Sequence, residues 1–189
     1  MKKYFLVFVI LFSSTLLSPV NRAYGSEVVR FPVDEKSGEI RYTAIVVLDS
    51  TRDKQDLFNN AKEWATNSFV NLNCILQMQD KEDGILVIKA NFNTGENCVA
   101  LGGPPDRVEF TLTIYVKDGR YKYDIKDIHY KSGSDPKWDD KALNQDRPKF
   151  FMGSRWEAVQ MKTSSAMLYL IKSLEQNMRS KKGKEDSSW

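Results

Sequence analysis

Apolar positions recur with period two along several stretches of this chain and with helical period along two others, separated by runs rich in Gly, Pro and charge. In the first strand-like run, Tyr42, Ala44, Val46 and Leu48 alternate with Thr43, Ile45 and Val47. Apolar side chains on both faces predict a central strand, covered on one face and partly on the other. Asp49, Ser50 and Thr51 end it. Asp53, followed three residues later by Asp56, marks a helix start, because carboxylates there meet the unpaired amides of a first turn. Leu57, Ala61, Trp64, Ala65, Ser68 and Phe69 then predict an amphipathic helix from about Lys54 to Phe69, with Trp64 in its packed stripe.

Cys74, Leu76 and Met78 alternate with Ile75, Gln77 and Gln79, turn residues fill Asp80 to Gly84, and Leu86, Ile88, Ala90 and Phe92 share the apolar face of a return strand. A simple register sets Cys74 opposite about Lys89. Asn93 to Asp106, with its Gly and Pro residues, reads as a loop. A second hairpin turns at Asp118-Gly119, which pairs Lys117 with Arg120, Val116 with Tyr121, Ile114 with Tyr123 and Leu112 with Ile125. Ile128 is out of phase with Ile125, so the strand bulges or twists away near His129. Ser132 to Gly153 is long, charged and irregular, and is expected to be mobile or tacked down by Trp138, Phe150 and Phe151. Ser154 with Glu157 reads as a capping box. Val159, Thr163, Ala166, Met167, Leu170, Ile171, Leu174 and Met178 give the stripe of a second long helix.

The order strand, helix, four strands, helix predicts an α+β domain with both helices on one face of an antiparallel sheet. Its parts are a leader at 1–25, an arm at 26–39, one domain at 40–178 containing the loop 132–153, and a polar tail at 179–189. The leader follows from Lys2 and Lys3 before an apolar run from Tyr4 to Leu17, then Ala23, Tyr24 and Gly25. That is the order of a secretory signal peptide cleaved after Gly25, with an apolar core shorter than the roughly 20 residues of a spanning helix. Export to the periplasm or the extracellular space is therefore expected, with no membrane span after cleavage.

Export changes the charge. The full chain has 28 Lys+Arg against 25 Asp+Glu, and losing Lys2, Lys3 and Arg22 with the leader leaves a formal balance of zero. A neutral mature chain argues against a nucleic-acid partner, which needs a local excess of cations. Along Arg120-Tyr121-Lys122-Tyr123 the tyrosines point inward and the cations outward, leaving few rings to stack bases.

The chemistry-bearing residues are sparse. His129 with Asp127 two residues earlier resembles part of a hydrolytic site, but no serine or cysteine motif supplies a nucleophile, so an exposed strand-end histidine is the stronger reading. Asp135, Asp139, Asp140 and Asp146 lack calcium-loop spacing, and two cysteines with one histidine are too few for a zinc cluster. No cofactor, metal site or catalytic residue is assigned. Cys74 and Cys98 are the candidate disulfide, worth about 2–4 kcal/mol where geometry permits, yet Cys98 falls beyond the strand end and the pairing stays open.

Four segments together are more specific: Arg41 to Asp49, Asp56-Leu57-Phe58-Asn59-Asn60-Ala61-Lys62-Glu63-Trp64, Met78-Gln79-Asp80-Lys81-Glu82-Asp83-Gly84, and Val108 to Tyr123 through Lys117-Asp118-Gly119-Arg120. Over roughly Glu39 to Tyr130 this set resembles the secreted Bacteroidetes family called domain of unknown function 4468, with a TBP-like fold. The resemblance implies a curved antiparallel sheet of about five strands, ordered β-α-β-β-β-β-α, with helices on one side. It carries over no activity and no catalytic residue, and the shape gives no licence for DNA binding. The leading functional expectation is a secreted or periplasmic module that binds an envelope protein or a small ligand through the open sheet face or the 132–153 loop. Tyr115, Trp138, Phe150 and Phe151 are its candidate partner contacts. The alternatives are a hydrolase built on His129 and Asp127 with an unassigned nucleophile, and a structural envelope component.

Overall fold

A computed structural model describes residues 29–69, 75–94, 105–133, 141–145 and 153–180. In chain order the elements are β1 (Tyr42–Val47), α1 (Lys54–Ser68), β2 (Ile75–Asp80), β3 (Ile85–Asn93), β4 (Arg107–Lys117), β5 (Arg120–Lys131), β6 (Lys141–Ala142) and α2 (Gly153–Arg179). Five main strands form an antiparallel sheet in the order β1-β5-β4-β3-β2, and the short β6 adds to β5 beyond the end of β1.

The β4–β5 hairpin follows the register that its apolar alternation dictates: Lys117 opposite Arg120, Val116 opposite Tyr121, Ile114 opposite Tyr123 and Leu112 opposite Ile125. Of the two turn residues only Gly119 has positive φ, 68°. Ile128 recovers the buried face because the pairing shifts between Glu109 and Thr111, and Asp127 at this bulge adopts φ 54°. A single extra residue resets the period and lets Ile125, Ile128 and Tyr130 all reach the core.

Both helices cover one side of the sheet. Asp53 caps α1, its carboxylate accepting the Asp56 amide at 2.7 Å. Leu57, Ala61, Trp64 and Ala65 from α1 and Val159, Met167, Leu174 and Met178 from α2 join Leu86, Ile88, Leu112, Ile114, Tyr121 and Ile125 from the strands in one core. Trp64 is buried as its stripe predicts, packs edge-on against Phe69 and donates from Nε1 to Ser173 Oγ at 3.0 Å, joining the two helices.

Three sequence expectations need correction. β1 is an edge strand, not a central one, and its outer apolar residues are uncovered: Ile45 is 66% and Val47 72% exposed. Period two reports a face and says nothing of how many neighbours a strand has. In β2 the register shifts between Leu76 and Met78, so Ile75 rather than Cys74 stands opposite Lys89, and Met78 pairs with Val87 on the face away from Leu76. The capping box at Ser154 does not form: α2 already includes Gly153, and no Ser154–Glu157 bond is present among the described residues. Within the 132–153 segment the described residues 141–145 are fastened to the domain, while Trp138, Phe150 and Phe151 lie outside the described residues. β6 pairs with β5, Leu143 is fully buried, and its carbonyl accepts from Gln160 Nε2 at 2.7 Å.

The open end of the core is closed by polar groups. Asp106, itself buried, accepts the Gly133 amide at 2.9 Å and pairs with Arg155 at the start of α2. At the opposite edge Arg41 forks onto Asp124, with Nε to Oδ1 and Nη2 to Oδ2 both 2.7 Å, and reaches Asp34 Oδ2 at 3.0 Å. These hydrogen bonds from Arg41 hold the Asp124 carboxyl below its usual value, with the guanidinium charge adding to the effect.

Candidate functional site

The helices leave the other side of the sheet open. Cross-strand pairing arranges it in rows: Ile45, Lys122, Tyr115 and Ile85 in one, Thr43, Asp124, Thr113 and Val87 in the next. At the hairpin end, Val47, Arg120 and Lys117 complete the pattern. A hollow of about 350 Å³ lies there, lined by Ile45, Tyr115, Lys117, Arg120 and Lys122 with Tyr121 at its base. Tyr115 is 38% exposed, and the Lys122 ammonium stands 5.7 Å from its ring centroid. An aromatic face and a branched aliphatic side chain thus form an apolar floor among three cations.

The charge of this face is one-sided. Glu109 is held by Arg107 at 2.9 Å and Asp124 by Arg41, while Asp80 at the β2 edge accepts the Asp83 amide at 2.8 Å. Asp127 stands at the bulge. Among the described residues Lys89, Lys117, Arg120, Lys122 and Lys126 make no ion pair within 4 Å, although the charges of Lys122 and Lys126 help to hold down the carboxyl of Asp124 between them.

Of the expected partner contacts, Tyr115 belongs to this hollow. Trp138, Phe150 and Phe151 lie outside the described residues, as do Cys74 and Cys98. His129 sits beyond the bulge opposite Glu109 and Ala142. Its Nδ1 has no hydrogen-bond partner, and nothing joins it to Asp127 or to a serine hydroxyl among the described residues. Within those residues no three His, Cys, Asp or Glu side chains gather as a metal site, and no helix is long and apolar enough to cross a membrane. A larger groove, about 620 Å³, runs between the end of α1 and α2 past Trp64, Phe110, Met167, Tyr169 and Leu170. It has no charged lining residue.

Residues 42–131 match the family described as a domain of unknown function (DUF4468) with TBP-like fold. That segment is a DUF4468 domain. Its fold is similar to that of a crystal structure of a DUF4468 family protein from Bacteroides ovatus, at 10% identity and TM-score 0.57, covering 84% of this chain and 93% of that one. It is likewise similar to a TBP-like protein from Parabacteroides distasonis, at 17% identity and TM-score 0.53, covering 76% and 97%. At those identities the likeness carries the fold alone. No curated protein matches this chain. The match ends at Lys131, so the whole β1–β5 sheet and its hollow lie inside the DUF4468 segment, whereas β6 and α2 follow it.

Sequence reasoning on this DUF4468 domain missed Ile45, Lys117, Arg120 and Lys122 as a group. The signal was present in the hairpin register, which sets Lys117 beside Arg120 and Lys122 beside Tyr115. What hid it was the reading of β1 as central, which put Ile45 and Val47 under cover.

Proposed function

We propose that this protein is an exported binding module that works through the open face of its sheet. The observation that carries the reading is the hollow at the hairpin end, where Tyr115 and the exposed Ile45 lie on the side that neither helix covers. Apolar surface beside fixed polar groups is the usual make-up of a recognition site. Export rests on Lys2, Lys3, the apolar run Tyr4 to Leu17 and the small residues around Tyr24. On this reading the protein recovered from an envelope fraction begins at Ser26, and N-terminal sequencing that finds Met1 there contradicts it.

The binding surface is tested on arrays of glycans and peptides. Ligands of the wild-type protein are expected to be lost with Ile45→Asp or Tyr115→Ala and kept with Tyr169→Ala, which alters the groove between the helices. Loss with Tyr169→Ala alone moves the site to that groove and refutes the open-face reading.

A further inference from the structure

We propose that the hollow takes an acidic sugar unit of an anionic polysaccharide, whose chain continues down the sheet past Lys126 and Lys89. This rests on the open face being the binding surface and names the class of ligand it takes. The hollow brings Lys117, Arg120 and Lys122 around an apolar floor of Ile45 and Tyr115. A sugar ring has an apolar C–H face that packs on an aromatic side chain, while its carboxylate or sulfate needs hydrogen-bonding cations at the rim. Arg120 supplies a planar fork for such an anion, and the two lysines supply point charges.

The rest of the face favours a chain over a single anion. Lys122 pairs across the sheet with Tyr115, and two residues further along each strand the pairs are Asp124 with Thr113, then Lys126 with Thr111 and Lys89. At roughly 3.3 Å of rise per residue, Lys126 lies about 13 Å from Lys122, beyond the reach of one sugar and within that of a short oligosaccharide. Two of the carboxylates along this path, Asp124 and Glu109, are already engaged by Arg41 and Arg107, which leaves Asp127 at the bulge beside Lys126. The whole protein carries 28 Lys+Arg against 25 Asp+Glu, so five cations on one face, with Asp124 among them already bound by Arg41, are a local excess, and charge complementarity selects an anionic occupant.

A nucleic acid fits less well. Among the described residues Tyr115 is the exposed aromatic ring of this face, and sequence-tolerant binding of a single strand needs a succession of rings to stack its bases.

The test is a titration of the purified full-length protein with polygalacturonate oligomers, heparin oligomers, neutral dextran, a single-stranded oligonucleotide and phosphatidylglycerol vesicles. At least one acidic glycan is expected to bind while dextran does not, and the two acidic probes separate carboxylate from sulfate recognition. Arg120→Glu and Lys122→Glu should each weaken binding about tenfold or more, and raising the salt should weaken it as well. Lys126→Glu should matter for oligomers and little for a monosaccharide. Lys62→Glu, on α1, should change nothing.

Oligonucleotide or vesicles binding as tightly as the acidic glycans overturns the proposal, and so does glycan binding that is indifferent to Arg120→Glu and Lys122→Glu. Array ligands that are neutral glycans or peptides, lost with Tyr115→Ala, overturn the acidic-sugar assignment and leave the open-face function standing. Ligands unaffected by every open-face substitution overturn both.

Discussion

Single residues carry more of this fold's specificity than the hydrophobic pattern reveals. Gly84 has φ 69°, and a Cβ there would meet the Val116 carbonyl oxygen at 2.6 Å. Gly84→Ala combines left-handed backbone with a clash against main chain, and is expected to lower unfolding free energy by about 1–3 kcal/mol in urea titrations. Tyr121 is the opposite case. Its hydroxyl is buried with no hydrogen-bond partner among the described residues, and burial, aided by the Glu175 charge, pushes its pKa above the usual range. Burial does the same to Tyr130, whose hydroxyl also bonds Asp106.

A phenol raised in the folded state stabilises below its ordinary value near 10 and loses that contribution as pH climbs through the native value. Stability should therefore fall on the alkaline side of pH 10. Tyr121→Phe should move that fall to higher pH and leave neutral-pH stability unchanged or raised by ~1 kcal/mol, as followed by thermal melts across pH. A large loss at pH 7 would show that the hydroxyl has a stabilising partner.

At the scale of elements, the parts legible in sequence are those where one physical signal dominates. The β4–β5 register was legible because apolar alternation and Asp118-Gly119 agree, and α1 because Asp53 caps an unbroken stripe. Ile128 announced the bulge by breaking phase. The position of β1 at the edge was not legible, since the residues that would cover Ile45 and Val47 are a matter of topology. The docking of 141–145 was hidden for a related reason. Leu143 is a single large aliphatic residue in a polar stretch, with no period to mark it.

Leu143→Ala should release β6, costing about 2–5 kcal/mol and speeding amide exchange at His129 and Tyr130, their partners in the ladder. Normal protection there would show that β6 is held by something else. Asp106→Ala removes a buried carboxylate partner of Arg155 and the acceptor for the Gly133 amide, so it should cost about 3–5 kcal/mol. The Arg41–Asp124 fork has a pH signature. A lowered carboxyl contributes stability above the ordinary value of 3.8 and loses it as pH falls through the native value, so Arg41→Ala should flatten the acid limb of the stability profile. An unchanged acid limb would mean that other carboxylates dominate it.

For the whole molecule, the arrangement divides labour between two sides. Both helices and nearly all the large apolar side chains are committed to one face of the sheet, which frees the other to display Tyr115, Ile45 and a local excess of cations. That division was legible as a fold class. The site was legible only in its ingredients, because a formal net charge of only +3 conceals how cations are distributed over faces, and sequence alone does not separate paired carboxylates from free ones.

The claim that the open face is the working surface is tested most directly by following backbone and side-chain NMR shifts during titration with acidic oligosaccharides. Shifts clustered at Ile45, Tyr115, Lys117, Arg120 and Lys122, with Tyr169 and Leu170 unmoved, are the predicted result. Shifts confined to the groove between α1 and α2 would contradict it.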